Sequence, residues 1–116
     1  MYSMEMPDGL ATALRRGTLE FCVLALLENG EQYSLELARR LGRDGPLTMS
    51  EGTLYPLLSR LRRTGWVTTT WQEAPSGPPR RYYSLTASGA AALAHFRTEW
   101  AAFRDTVDHI VGTEPR

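Results

Sequence analysis

Apolar residues along the chain follow four helical patterns and one alternating pattern. From Leu19 to Leu27 the chain is hydrophobic nearly all round, with Glu20 the exception. A helix exposed on one side shows a single apolar stripe. This block therefore predicts a helix covered on two sides, from about Leu10 to Asn29 and stopped by Gly30. One side can meet the domain's own core. A domain this small has little left for the other, and a partner subunit can supply it. Leu10, Leu14 and Phe21 are assigned to that subunit interface.

Leu35, Ala38 and Leu41, with Leu37 alongside, predict a second helix from Ser34, a good N-cap, to Gly42. Arg39, Arg40 and Arg43 face outward on it. Asp44-Gly45-Pro46 breaks the chain, and Leu47-Thr48 reads as a very short strand. Leu54, Leu57, Leu58 and Leu61 recur at i, i+3, i+4 and i+7 and predict a third helix from about Ser50 to Arg63, ended by Gly65. Ser50 suits its N-cap, and Glu51 suits the positive end of the helix dipole. Pro56 removes one backbone donor and predicts an irregular first turn.

The pattern then changes. Trp66 to Trp71 is rich in β-branched and aromatic residues and predicts a strand. Residues 73–79, with one glycine and three prolines, form a turn, and Arg81 to Leu85 return. Val67 and Trp71 share one face, as do Tyr83 and Leu85 across the hairpin. Thr86 caps a last helix from Ala87 to about Val111. On it Leu93, Phe96, Trp100, Phe103, Val107 and Ile110 are spaced by 3, 4, 3, 4 and 3 residues. That is a heptad seam of about two and a half repeats, which pairs most simply with a second copy of the chain.

The fold class is mainly α with a small β-hairpin: a winged helix-turn-helix plus a long C-terminal dimerisation helix. Residues 1–9 form a flexible N-terminus, 10–85 the winged unit, 86–111 the last helix and 112–116 a flexible tail.

With 116 residues, 42% of them hydrophobic and 22% charged, the chain suits one soluble domain. Its formal charge of zero argues against a general nucleic-acid coat. The distribution of that charge argues the other way. Residues 39–81 hold eight arginines and three acids, whereas both flanks are net acidic. Phosphate affinity follows local charge. All thirteen basic residues are arginine, which codon bias toward GC-rich triplets explains as readily as a function does. Cys22 is alone, so no intrachain disulfide is possible. The apolar run after Arg15-Arg16 is too short for an export signal or a membrane span, and a cytoplasmic location is expected.

In helix-turn-helix proteins the second helix of the motif enters the major groove. Here Ser50, Glu51, Thr53, Tyr55, Ser59, Arg60 and Arg63 face outward on it. Arg80 and Arg81 at the hairpin tip can reach phosphates or a minor groove. The partner expected is double-stranded DNA with a palindromic operator.

Gly52-Thr53-Leu54-Tyr55-Pro56-Leu57-Leu58 with Arg60-Leu61, and Pro79-Arg80-Arg81-Tyr82-Tyr83 with Leu85-Thr86 and Gly89, resemble the recognition helix and wing of the PadR family of transcriptional regulators, short type. Arg16-Gly17 with Leu19-Glu20 fits its first helix. The similarity spans roughly residues 13–90. Tyr33-Ser34-Leu35-Glu36-Leu37, Arg62 and Trp66 depart from the family's usual residues. The resemblance implies a homodimer formed through the last helix and often the first, and repression of a nearby gene. Some relatives bind flat aromatic compounds between subunits, and Phe96, Trp100 and Phe103 are the candidates to line such a pocket. Plain interface packing explains the same three residues.

No cofactor and no metal are expected. His95 with Glu99, and Asp105 with His109, are pairs that arise on any polar helix face. No phosphate loop or nucleophile–base pair suggests an enzyme. A winged helix that binds protein instead of DNA is the alternative, but it has no need of arginine on both helix and wing.

Overall fold

The computed structural model describes residues 17–42, 47 and 49–114. Helix α1 (Leu19–Leu26) is followed by strand β1 (Gln32–Tyr33), helix α2 (Ser34–Gly42) and helix α3 (Glu51–Thr64). The hairpin β2 (Val67–Gln72) and β3 (Arg80–Leu85) leads into helix α4 (Ala87–Val111). The fold class matches the sequence expectation in its helices and hairpin and adds one strand. The sheet has three antiparallel strands in the order β1-β3-β2. Gln32 pairs with Tyr83 and Tyr33 with Tyr82. Two residues are too few to show a period of two, so β1 leaves no pattern in the sequence.

Helix α1 is shorter than expected. Gly17 has φ 85°, a left-handed conformation no helix interior adopts, so a single helix from Leu10 to Asn29 is excluded. Leu10 and Leu14 lie outside the described residues. Leu47 sits in a tight helical turn and is half-buried, so it is not in a strand; Thr48 lies outside the described residues.

Helix α3 begins and ends as its sequence dictates. The Ser50 hydroxyl accepts a hydrogen bond from the Thr53 amide at 3.2 Å. Pro56 lies inside the helix without ending it, and the helix runs on from Glu51 to Thr64. At the far end Gly65 takes φ 87°, its amide bonds Arg62 O, and the Trp66 amide bonds Leu61 O. These are the two bonds of a Schellman stop.

Leu54, Leu57, Leu58 and Leu61 of α3 are buried together with Val23, Leu24, Leu37, Leu41, Val67, Tyr83 and Leu93. One core thus joins helices α1 to α4 to the sheet. Thr86 ties the start of α4 to the end of α3. Its hydroxyl donates to Gly65 O at 2.7 Å and caps the Gly89 amide at 3.0 Å, while its own amide donates to Trp66 O. Among the described residues no helix is long and apolar enough to cross a membrane.

Candidate nucleic-acid interface

Burying four leucines on one side of α3 turns the remaining positions outward in two directions. Glu51, Tyr55, Ser59 and Arg62 follow one another at spacings of four and three, so they share one stripe. The first three of them line a groove of about 550 Å³ between α3 and the wing. Trp71, Pro79, Arg80 and Arg81 form its opposite wall, and Ser34 and Tyr83 also border it.

The two wing arginines are not at the tip. They open β3, opposite Gln72 and Trp71, and the connecting loop of residues 73–79 carries no arginine. Successive strand residues point to opposite faces. Arg80 lies over the Tyr33 ring, 4.5 Å from its centre, and Tyr33 meets Tyr82 edge-on. Arg81 lies over Trp71, 4.8 Å from its ring centre, and its buried Nε has no hydrogen-bond partner among the described residues. Trp71 is 65% exposed, because the core under the hairpin ends at Val67 and Tyr83.

Two of the sequence-chosen residues are already engaged by other side chains. Arg60 points back toward α1, where its Nε donates to Glu20 Oε1 at 2.7 Å. Its charge is thus engaged on the side of α3 away from the wing. Glu51 is half-buried and lies close to two hydroxyls, those of Ser34 and Tyr55, instead of projecting freely. Ser50 serves as the cap, and its hydroxyl is 3.2 Å from that of Thr53. Thr53, Tyr55, Ser59 and Arg63 are exposed. Arg62 and Arg63 make no ion pair among the described residues. Sequence reasoning missed Ser34 and Trp71 as neighbours of the groove. Ser34 read only as a helix cap, and Trp71 only as a strand residue.

The seam residues divide along α4. Leu93 is buried in the core of its own chain, which removes it from the expected subunit interface. Phe96 stacks on Phe21 with ring centres 4.3 Å apart. Beyond it, Trp100, Phe103, Val107 and Ile110 are exposed, Ile110 by 75%. An open groove of about 600 Å³ lies there, bordered by Gly17, Thr18, Phe96, Trp100, Phe103 and Thr106. Among the described residues no three His, Cys, Asp or Glu side chains gather in a way that could hold a metal ion.

The order helix, strand, helix, helix, hairpin, long helix has counterparts among known proteins. The family model for PadR-like transcriptional regulators matches residues 23–95. The chain belongs to the PadR-like transcriptional regulator family. A PadR-like transcriptional regulator from Bacillus cereus has a solved structure that is 32% identical, with a TM-score of 0.78 over 88% of this chain and 99% of that one. A PadR family transcriptional regulator from Eggerthella lenta, also 32% identical, gives a TM-score of 0.80 over 92% and 93% of the two chains. Transcriptional regulator Rv3488 of Mycobacterium tuberculosis is 34% identical over 83 residues, covering 72% of this chain and 76% of its own. DNA-binding regulation of transcription is the function that PadR membership implies, and the protein is not an enzyme.

Proposed function

We propose that this PadR-family protein is a homodimeric repressor that binds a palindromic operator and is released by a small aromatic or apolar ligand. The observation that carries the reading is the split seam of α4. Leu93 is buried in the protomer, whereas Trp100, Phe103, Val107 and Ile110 continue the same seam into solvent. A second α4 covers such a row, because burying one large apolar side chain is worth about 1.5–3 kcal/mol. Phe21 and Phe96 extend the interface onto α1. The open groove beside Trp100 and Phe103 becomes enclosed when a second copy packs there, and flat apolar walls suit an aromatic ligand.

Two copies present two α3 helices to successive major grooves, which is why the operator is palindromic. Thr53, Tyr55 and Ser59 approach the bases, and Arg62, Arg63, Arg80 and Arg81 supply charge to the phosphates. Arg60 braces α3 against α1.

A gel shift with the palindrome nearest the protein's own gene, against random duplex, tests the reading. Operator affinity is expected to exceed random affinity and to fall steeply with salt. Arg80→Ala with Arg81→Ala is expected to weaken binding and to flatten the log–log salt slope by about 0.9 for each phosphate no longer neutralised. Equal affinity for both duplexes would sink the operator reading.

A further inference from the structure

Three oxygens meet where α2 begins against the recognition helix. The Ser34 hydroxyl is 3.0 Å from the Tyr55 hydroxyl and 3.3 Å from Glu51 Oε2, and the Tyr55 hydroxyl is 3.4 Å from the same carboxylate oxygen. Ser34 and Tyr55 bring one proton each, and Glu51 brings an acceptor. Ser34 donating to Tyr55 and Tyr55 donating to Glu51 satisfies the short contact and engages both protons. Ser34 is only 8% exposed, so little of it is open to DNA. Tyr55 is 48% exposed, on the stripe of α3 that lines the groove beside the wing.

We propose that Ser34 and Glu51 are positioning residues that lock the Tyr55 ring at the DNA face, and that Tyr55 reads a thymine methyl. The inference rests on the operator-binding reading above and names one base contact within it. Glu51 is the one acidic residue of α3. A free carboxylate at a DNA face repels phosphates, and a carboxylate that reads a base accepts from cytosine. Glu51 is instead tied sideways to Tyr55 within its own turn, and Tyr55 in turn to Ser34 of α2. Tyr55 has donated its proton inside the cluster, so its hydroxyl has little left for a base edge. What it presents is an apolar ring held still, and the apolar mark of the major groove is the thymine methyl. A tyrosine free to rotate loses side-chain entropy on binding; an anchored one has lost it already.

The test is selection of duplexes from a random library by the full-length protein and its variants, with thermal melting to confirm folding. Wild type is expected to select a palindrome with a thymine in each half-site that Ser34→Ala, Glu51→Ala and Tyr55→Ala all lose. The loss is about tenfold in preference at that base pair, the scale of one good base contact. Glu51→Gln keeps an acceptor oxygen and is expected to keep the wild-type preference. Ser34→Ala is expected to leave the salt slope unchanged, since Ser34 contacts no phosphate. Replacing that thymine by deoxyuridine removes only the methyl; it is expected to weaken wild type and not Tyr55→Ala. A folded Ser34→Ala that selects the wild-type palindrome undiminished overturns the inference and leaves operator binding intact. So does a changed base preference in Glu51→Gln, which would mean that the carboxylate itself reads the base. A wild type that selects no sequence overturns the operator reading and this inference with it.

Discussion

Gly89 sits where the backbone of the wing comes closest to α4. A Cβ built there would lie 2.1 Å from Trp66 O and 2.7 Å from a Leu85 methyl. The obstacle is backbone, so no rotamer relieves it. Trp66 O is also held by the Thr86 amide, which prevents retreat. Gly89→Ala is therefore expected to cost about 1–3 kcal/mol, the range for overpacking a tight site. A lower melting temperature in calorimetry checks it, and unchanged melting would mean that α4 can shift. Pro56 teaches the opposite lesson. Its missing amide predicted distortion, yet α3 passes through it, capped by Ser50 and anchored by four buried leucines. The energy of that stripe outweighs one lost backbone bond. Ser34 could not be recognised from sequence because its partners are 17 and 21 residues away.

At the scale of elements, exposed ion pairs bridge helices that the apolar core packs together. Arg97 of α4 donates two hydrogen bonds, each 2.8 Å, to the two carboxylate oxygens of Glu28, just past the end of α1. The hydrogen bond from Arg97 holds the Glu28 carboxyl below the usual carboxylate range; desolvation opposes it and charge attraction adds to it. A carboxyl whose value is lowered by folding stabilises the folded state above the unfolded value. That stabilisation is lost as pH falls through the folded value. Glu28→Gln is therefore expected to lower the melting temperature at neutral pH, by a small and salt-sensitive amount because the pair is exposed. The difference from wild type should vanish on the acid side of the carboxylate range. A difference that persists in acid would show that the ion pair is not its source. Arg60 and Glu20 form a second such bridge, between α3 and α1, which is why an arginine counted toward DNA is engaged within the protomer. Helical spacing tells which residues face outward from a helix. It does not tell which neighbouring element supplies an acid.

At the scale of the molecule, the row beyond Leu93 decides how copies assemble. Trp100→Glu with Phe103→Glu puts two carboxylates into that row and is expected to give monomers in analytical ultracentrifugation. A dimer that survives would move the interface to α1 and the chain before it. The four helices, the hairpin and the outward stripe of α3 were legible because each depends on local periodicity and on caps such as Ser50, Gly65 and Thr86. The PadR resemblance was legible for the same reason, since its motifs are continuous runs. β1 was not, being two residues long and defined only by pairing with β3. Nor was the left-handed turn at Gly17, because the apolar residues on either side of a glycine keep their pattern whatever its backbone does. The amino-acid sequence by itself determined which segments are helical, which residues are apolar and where positive charge accumulates. Tertiary structure alone decided that Leu93 serves the protomer core, that Arg60 serves Glu20, and that Ser34 meets Tyr55. Those outcomes depend on what another segment places within a few ångströms, and no spacing along one segment records it.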